Sequence, residues 1–221
     1  MIATNHRRSP LPVIVILAAG RSSRFGRPKG LARIRGRSLL RRLAEQLSRV
    51  EHAGVRIILA PRSPLRRAAQ TAGWVCLTNR RRDEGLSSSI ACATLHMRVA
   101  GALLFLPLDM PALSGRDLQR LLQRWRASRR RVVARSLQGR PAIPLILPRW
   151  LFGLTRQARG DTGLRPLLSS LDPDAVRLVD LPHAALDVDT PADLAAARRV
   201  LRRQPWSERV GYGIQCKGPG V

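Results

Sequence analysis

Residues 13–29 of the chain read VIVILAAGRSSRFGRPK, an apolar run followed by a loop of small and basic residues. The apolar run predicts a strand that is buried on both faces of a parallel sheet. The loop after it offers bare backbone amides together with the cationic side chains of Arg24 and Lys29. Both kinds of group favour concentrated negative charge. The stretch therefore predicts a polyphosphate-binding loop, with an ordinary strand-to-helix connection as the alternative.

This loop matches neither of the two commonest phosphate-binding motifs. It contains no GxGxxG, the pattern of a dinucleotide-binding fold. It also lacks GxxxxGK[ST], because Gly30 rather than serine or threonine follows Lys29. We therefore interpret it as a nucleoside triphosphate loop of another type.

Outward from this stretch, apolar strand-like runs alternate with helical patterns. After the first strand, the predicted strands are 55–60, 74–77, 101–108, 132–134 and 176–179, with 142–147 extended and pairing back onto the sheet. The predicted helices are 38–50, 65–72, 86–99, 117–127 and 191–203. This alternation predicts a single α/β domain with a doubly wound, mostly parallel, Rossmann-like sheet. We expect the domain to span residues 11–203, between flexible tails at 1–10 and 204–221.

The composition favours an ordinary globular protein. The 221 residues are 44% hydrophobic, which suffices for one sizeable domain. The three cysteines, Cys76, Cys92 and Cys216, show no metal-ligand spacing and fit a reducing cytosol. The sequence shows no export signal, and no apolar run reaches the roughly 20 residues that span a bilayer. A cytoplasmic location without membrane attachment is therefore expected.

The formal net charge of +26 raises the question of nucleic-acid binding. Lys29 and Lys217 are the two lysines, so 38 of the 40 basic residues are arginine, spread over nearly every predicted helix. A nucleic-acid binder usually concentrates its charge in a patch with interleaved aromatic residues. We therefore attribute the charge mainly to a compositional bias toward arginine. A basic nucleic-acid-binding or chaperone-like protein remains the non-enzymatic alternative.

Acidic side chains stand at two places where they could bind a metal ion. Asp109 follows the buried run 101–108, and a carboxylate there can bind Mg²⁺ together with waters and phosphate oxygens. Asp187 and Asp189 are two residues apart, so in an extended segment both could face one site. The alternative is local, because Asp109 could begin a turn and residues 190–193 fit a helix cap. Capping leaves Asp187 and Asp189 unexplained, so both stay metal candidates.

Two further segments could bind a ligand or serve only the fold. Asn79 and the run 84–89 follow the third strand, where the serines could hold ribose or base groups or cap a helix. Residues 159–163 form a glycine-rich turn that could bind an acceptor phosphate. The four histidines form no metal set, and no serine lies in GxSxG, which disfavours hydrolytic or nucleophilic catalysis. Metal-assisted phosphoryl-type transfer needs only positioning and charge neutralisation.

Taken in order, five segments resemble the molybdenum cofactor nucleotidyltransferases, which belong to a wider group with the sugar-1-phosphate nucleotidyltransferases. These segments are LAAGRSSRFGRPK (17–29), NRRRDEGLSSSI (79–90), LDMP (108–111), RGDTGLRPLL (159–168) and LDVDTPADL (186–194). The serine run, the RGDTG segment and Ala19 resemble the cytidylyltransferase branch. The family usually has Gly-His-Pro where this chain has Ala142-Ile143-Pro144. The resemblance implies a fold of the nucleotide-diphospho-sugar transferase type.

The resemblance also implies a reaction, in which CMP passes from CTP to the phosphate of molybdopterin and pyrophosphate is released. The alternative is a GTP-dependent guanylyltransferase, or a nucleotidyltransferase that uses another phosphorylated acceptor. The implied partner is a molybdoenzyme of the xanthine dehydrogenase type, which receives the finished cofactor.

The resemblance assigns expected roles to residues of the matching segments. Arg24, Lys29 and Asp109 are the implied catalytic residues, and Arg24 and Lys29 would neutralise the triphosphate. The remaining implied nucleotide contacts are the amides of Ala18, Ala19 and Gly20 and the side chains of Asn79 and Ser88. Asp109 and Asp189 would bind Mg²⁺, with Asp187 as a weaker third candidate.

Overall fold

The computed structural model describes residues 11–202. The strands are β1 Val13–Ala18, β2 Arg33–Ile34, β3 Arg37–Ser38, β4 Val55–Leu59, β5 Val75–Thr78, β6 Ala102–Pro107, β7 Val132–Leu137, β8 Arg140–Pro148 and β9 Val176–Val179. The helices are α1 Leu39–Leu47, α2 Leu65–Thr71, α3 Leu86–His96, α4 Gly115–Ala127, α5 Arg165–Ser169 and α6 Pro191–Arg202. Short 3₁₀ turns join several of them. The expected tails, 1–10 and 204–221, lie outside the described residues, as does Arg203.

Seven strands form one sheet in the order β5-β4-β1-β6-β8-β7-β9. β1 pairs in parallel with both β4 and β6, and β8 runs antiparallel to β6 and β7. The predicted return of the chain onto the sheet at 142–147 is thereby confirmed. Because β4 and β6 lie on opposite sides of β1, the strand order reverses there. Ligands of such sheets bind beyond the carboxyl ends of the strands at this reversal.

Side chains alternate between two cores on the two faces of the sheet. From β1, Ile14 and Ile16 enter one core, where α1, α2 and α4 pack, while Val15 enters the other with α3 and α5. All three residues are fully buried. The run VIVI thus needs apolar residues at successive positions because both of its faces are covered. The doubly wound, mostly parallel α/β fold predicted from the alternation of elements is confirmed.

A third, smaller core lies beside the carboxyl end of β1. It joins Phe25, Ala32 and Ile34, which belong to the segment after β1, to Val188 and to α6. The helix contributes Leu194, Ala197 and Leu201 to this core. Through these contacts the first and last motifs of the chain pack directly against each other.

The structure departs from the predicted elements in a few places. The hairpin β2–β3 was not predicted, because two residues in each strand are too few to show a periodic pattern. β7 extends beyond the predicted 132–134, because it continues to pair with β8 up to Leu137 and Arg140. α3 ends at His96 rather than at residue 99, where the backbone continues as a turn closed by the Ala100 N–H on the Met97 carbonyl.

No helix within residues 11–202 is both long and apolar enough to cross a membrane. Cys76 and Cys92 are free thiols.

Candidate active site

A crevice of about 610 Å³ lies at the carboxyl ends of β1, β4 and β6. Three segments form most of its wall: the loop after β1, residues 60–65 after β4, and Leu108 with Asp109 after β6. Arg82 and Asp189 complete the wall from other parts of the chain. The volume is in the usual range for small-molecule sites, roughly 300–1,000 Å³. The crevice therefore occupies the position that the strand reversal favours for a ligand.

Lys29 and two carboxylates form the centre of this crevice. The Lys29 Nζ atom donates to Asp109 Oδ2 at 2.9 Å and to Asp189 Oδ1 at 2.5 Å. Arg24 Nη2 lies 3.0 Å from Asp189 Oδ2, the other oxygen of that carboxylate. Asp109 and Asp189, which lie 80 and 160 residues after Lys29 in the sequence, thus contact the same ammonium group.

The residue after Lys29 packs against two leucine side chains near Asp109. A Cβ atom on Gly30 would lie 2.6 Å from the Leu108 side chain and 2.8 Å from that of Leu65, so a larger residue at position 30 would displace these leucines. On the other side, the Val188 N–H donates to the Asp109 carbonyl at 2.9 Å. The segments carrying Lys29 and Asp189 are therefore both held against the strand end that carries Asp109.

A helix cap fixes the backbone at Asp189. The Asp193 carboxylate accepts from the backbone N–H groups of Asp189 and Thr190, and the Thr190 hydroxyl accepts from the Asp193 N–H. This is the reciprocal capping arrangement that residues 190–193 predict. Because it uses Asp193 rather than Asp189, the Asp189 carboxylate is left to face the crevice.

The charges of the cluster support one another. Burial lowers the pKa of Lys29, but the adjacent carboxylates of Asp109 and Asp189 outweigh it and the pKa is raised overall, so the ammonium stays charged at neutral pH. The hydrogen bond from Lys29 holds the pKa of Asp189 below its ordinary value. Asp187 behaves differently, because partial desolvation and the nearby charge of Asp109 raise its pKa to about 6.

Cations outnumber acids along the crevice wall. Beside Lys29 the wall includes five arginines, namely Arg21, Arg24, Arg27, Arg62 and Arg82. Asp109 and Asp189 are the acidic residues of the same described wall. An excess of fixed positive charge in a concave, partly shielded site attracts and holds anions. The crevice is therefore suited to a ligand with several negative charges.

The two carboxylates fit a hard divalent cation. Asp109 and Asp189 already share one cationic atom, Lys29 Nζ, which shows that their oxygens converge on a common point. Within residues 11–202 no group of three His, Cys, Asp or Glu side chains is placed to hold a metal by itself. Mg²⁺ suits such a site, because it usually takes one or two carboxylates and completes its shell with waters and substrate phosphates.

The family of the chain follows from a match to the MobA-like NTP transferase domain, which covers residues 14–176. The chain belongs to the MobA-like NTP transferase family. It is therefore a nucleotidyltransferase, and the matched residues include Lys29 and Asp109 of the crevice.

Individual relatives of this MobA-like chain agree with the match. A probable molybdenum cofactor guanylyltransferase of Rhodopirellula baltica is 27% identical over 202 residues, covering 88% of this chain and 95% of the relative. The structure of Rv0371c from Mycobacterium tuberculosis has a TM-score of 0.70 at 23% identity, covering 86% of this chain and 98% of that one. A manganese complex of Rv0371c has a TM-score of 0.63 at 22% identity, with coverages of 87% and 98%.

A further solved structure with this fold is molybdopterin-guanine dinucleotide biosynthesis protein A of Archaeoglobus fulgidus. Its TM-score is 0.68 at 15% identity, and the match covers 87% of this chain and 100% of that one. The likeness to these solved structures concerns the fold, which is the nucleotide-diphospho-sugar transferase type expected from the sequence.

Several expected site residues of the MobA-like chain come together in the crevice. Ala18, Gly20, Arg24, Lys29, Asp109 and Asp189 all line it. The Ala19 side chain points away, into the core on one face of the sheet. Asp187 does not line the crevice, although partial desolvation and then the charge of Asp109 raise its pKa.

Asn79 and Ser88 lie outside the residues that line the crevice. Asn79 is buried, and its amide nitrogen donates to the hydroxyls of Ser88 at 2.8 Å and Ser89 at 3.0 Å. Its carbonyl oxygen accepts from the Arg81 N–H, and the Ser88 hydroxyl donates to the Gly85 carbonyl. These groups therefore tie the segment to the start of α3, and a direct contact with base or ribose stays a prediction.

The glycine-rich turn at 159–163 packs against the start of α3. The Asp161 carboxylate accepts from the Leu86 N–H at 3.3 Å, and Gly163 lies against the Leu86 side chain. A Cβ atom on Gly85 would lie 2.4 Å from the carbonyl carbon of Gly160. Of the two interpretations of this turn, the contacts agree with a turn that caps a helix.

Sequence reasoning missed the contribution of residues 60–65. Pro61 and Pro64 indicate a turn that ends β4, and nothing in that pattern points to a ligand. The segment reaches the crevice because β4 lies directly beside β1 in the sheet. It contributes Arg62, which adopts a positive φ of 54°. The order of strands, rather than a motif, would have been the signal.

Proposed function

We propose that the protein transfers a nucleotidyl group from a nucleoside triphosphate to the phosphate of molybdopterin, with CTP as the preferred donor. The observation that carries this proposal is the meeting of Lys29 with Asp109 and Asp189 in an arginine-lined crevice at the tip of β1. The family supports the reaction class, and the site supplies the charges that the reaction needs.

Different residues of the crevice would bind the nucleotide, neutralise its phosphates and hold the metal ion. The backbone of Ala18, Ala19 and Gly20 would contact the nucleotide at the end of β1. Arg24 and Lys29 would neutralise the phosphates, supported by the other arginines of the wall. Asp109 and Asp189 would hold Mg²⁺, which when bound supplies positive charge to the phosphate oxygens.

The reaction needs little covalent help from the protein. An oxygen of the molybdopterin phosphate forms a bond to the α-phosphorus of the triphosphate. The bond from the α-phosphorus to the oxygen that bridges to the β-phosphorus breaks, and pyrophosphate leaves with the electron pair. Because the attacking phosphate is already an anion, no general base is required. The described crevice wall, which contains no histidine, fits a mechanism of positioning and charge stabilisation.

One observation favours CTP as the donor, and another favours GTP. Ala19 and the serine run resemble the cytidylyltransferase branch, which favours CTP. The relative from Rhodopirellula baltica carries the name of a guanylyltransferase, which favours GTP as the second candidate. We also expect a cytoplasmic location and delivery of the product to a molybdoenzyme of the xanthine dehydrogenase type.

Turnover with each of the four α-labelled ribonucleoside triphosphates, with and without molybdopterin and Mg²⁺, tests this proposal. The expected result is transfer of label from CTP to molybdopterin with release of one pyrophosphate, dependent on both molybdopterin and Mg²⁺. Transfer from GTP instead would establish the second candidate. No transfer from any triphosphate, with strong and salt-sensitive binding to DNA or RNA, would favour the non-enzymatic alternative.

A further inference from the structure

We propose that Lys29 guards the two metal-binding carboxylates, and that a divalent cation binds there only when a triphosphate draws the Lys29 ammonium away. This inference rests on the proposed function and deepens it by assigning an order of binding. It makes Lys29 a residue with two positions, one on the carboxylates and one on the phosphates.

The first argument is that three of the four oxygens of these carboxylates are already engaged by cations. Lys29 takes one oxygen each from Asp109 and Asp189, and Arg24 takes the second oxygen of Asp189. A magnesium ion bound to both carboxylates would lie about 2.1 Å from those oxygens. If the ammonium stayed on the same oxygens, it would lie only a few ångströms from the metal ion, and the two positive charges would repel each other strongly. Metal and Lys29 therefore compete.

The second argument is that this competition is strong. The Lys29 side chain is 17% exposed and that of Asp109 28%, so solvent ions screen the pair less than they screen a surface ion pair. The contact between Arg24 and Asp189 is weaker by the same reasoning, because the Arg24 side chain is 73% exposed. Lys29 is therefore the main obstacle to a metal on these carboxylates.

The third argument concerns where the ammonium can go. Beyond Asp109 and Asp189, the charged residues of the described crevice wall are arginines. Among the residues that line the crevice, Lys29 leaving its carboxylates would meet only like charge, unless an anion is present. A triphosphate in the crevice supplies that anion beside the same loop. Metal binding and triphosphate binding should therefore favour each other by the same factor, as thermodynamic linkage requires.

Binding of Mn²⁺ alone, followed by electron paramagnetic resonance, tests the competition. Lys29→Met keeps an unbranched side chain of similar size and removes its charge, and it should bind Mn²⁺ at least 10-fold more tightly than the wild type. Arg27→Met is the matched control, because Arg27 also lines the crevice but lies over the Phe25 ring and makes no ion pair with a described residue. It should change the affinity less than 3-fold. Equal affinities of Lys29→Met and the wild type would overturn the proposal.

The lysine content of the chain allows a direct second measurement on the wild type. With ¹⁵N-labelled lysine the protein gives signals from Lys29 and Lys217 alone, and Lys217→Arg assigns them. The Lys29 signal should stay in place when Mg²⁺ is added alone, and move when Mg²⁺ is added with a non-hydrolysable CTP or GTP analogue. A signal that moves with Mg²⁺ alone, or stays in place with both, contradicts the proposal even where Lys29→Met fails to fold.

The two proposals fail in different ways. Binding of the analogue with Mg²⁺ and no gain of Mn²⁺ affinity in Lys29→Met would overturn the guarding role and leave the proposed function intact. Failure of every analogue to bind, measured by the shift in melting temperature, would overturn the proposed function and with it this inference.

Discussion

Two loops of this protein are similar in composition and differ in what they do. Residues 20–30 and residues 159–163 are both rich in glycine, and both carry arginine. The first loop directs Arg24 and Lys29 into a crevice, where they meet the carboxylates of Asp109 and Asp189. The second loop directs Asp161 onto the first turn of α3 and packs its backbone against Gly85.

The difference lies in whether the polar groups of a loop are used up within the fold. In the second loop, the Asp161 carboxylate accepts a hydrogen bond from the Leu86 N–H, and the backbone of Gly160 packs closely against Gly85. The loop therefore supports the start of α3. In the first loop, the positive charge exceeds what the two nearby carboxylates can neutralise. Surplus charge in a concave site indicates a ligand, whereas a completed hydrogen-bond arrangement indicates a structural role.

Removing the negative charge of Asp109 should have the largest effect on activity. Asp109→Asn should lower nucleotidyl transfer by about 1,000-fold or more, because several kcal/mol of charge stabilisation through the metal is lost. The fold should stay intact, as judged by an unchanged circular dichroism spectrum and a cooperative melting transition. Asp174→Asn, before β9 and thus at the opposite edge of the sheet, is the matched control and should retain activity. Undiminished turnover of Asp109→Asn would remove Asp109 as a metal ligand.

Gly85→Ala should destabilise the fold where the start of α3 packs against the second loop. The added Cβ would lie 2.4 Å from the Gly160 carbonyl carbon, and Gly85 has a positive φ of 90°. We expect a loss of about 3 kcal/mol in the free energy of unfolding, measured by urea denaturation. Gly139→Ala separates the two causes, because Gly139 has a φ of 74° but no atom within 4 Å of the new Cβ. That control should lose only about 1 kcal/mol.

Asp161→Ala tests whether the second loop binds a substrate or supports a helix. Loss of the cap should reduce the free energy of unfolding by about 0.5–1 kcal/mol. Asp161→Asn keeps an oxygen acceptor and should recover most of that loss. The KM for molybdopterin should not change in either variant, because residues 159–163 do not line the crevice. A KM raised by 10-fold or more in both variants would show that the loop binds the acceptor after all.

The smallest expected effect is a pH dependence set by Asp187, because this residue is exposed and solvent screens the charges that act on it. Its pKa is raised from 3.8 to about 6 in the folded protein, so the folded state binds more protons than the unfolded state between these values. The contribution of Asp187 to stability must therefore fall as the pH rises through this window. Asp187→Asn should melt increasingly above the wild type from pH 4 to pH 7. A difference in melting temperature that shrinks with rising pH would contradict the raised pKa.

Much of the sheet could be predicted because its strands are buried on both faces. Continuous apolar runs such as residues 13–17 and 102–106 leave few alternatives to a central parallel strand. The edge of the sheet where Asp109 and the first loop meet follows from the same reasoning, because parallel strands present their carboxyl ends together. The hairpin β2–β3 could not be predicted, since strands of two residues leave no pattern.

The contacts at the site were less accessible from sequence. Asn79 and Asp109 both follow a parallel strand of the sheet, and both were expected to bind the ligand. The amide of Asn79 is used by two serines of α3, whereas Asp109 faces a single ammonium across the crevice. Whether a polar side chain is used by a hydrogen bond within the fold depends on where α3 and α6 lie. That placement results from tertiary packing, which the periodicity of one segment does not determine.

The third core also determines how late the site can form during synthesis of the chain. Lys29 belongs to an early segment, yet its partner Asp189 is held by a helix whose buried Leu201 is among the last described residues. A ribosome must therefore release nearly the whole domain before these charges can meet. Until then the growing chain would present an arginine-rich loop without Asp189, one of its acidic partners, exposed to any polyanion in the cell.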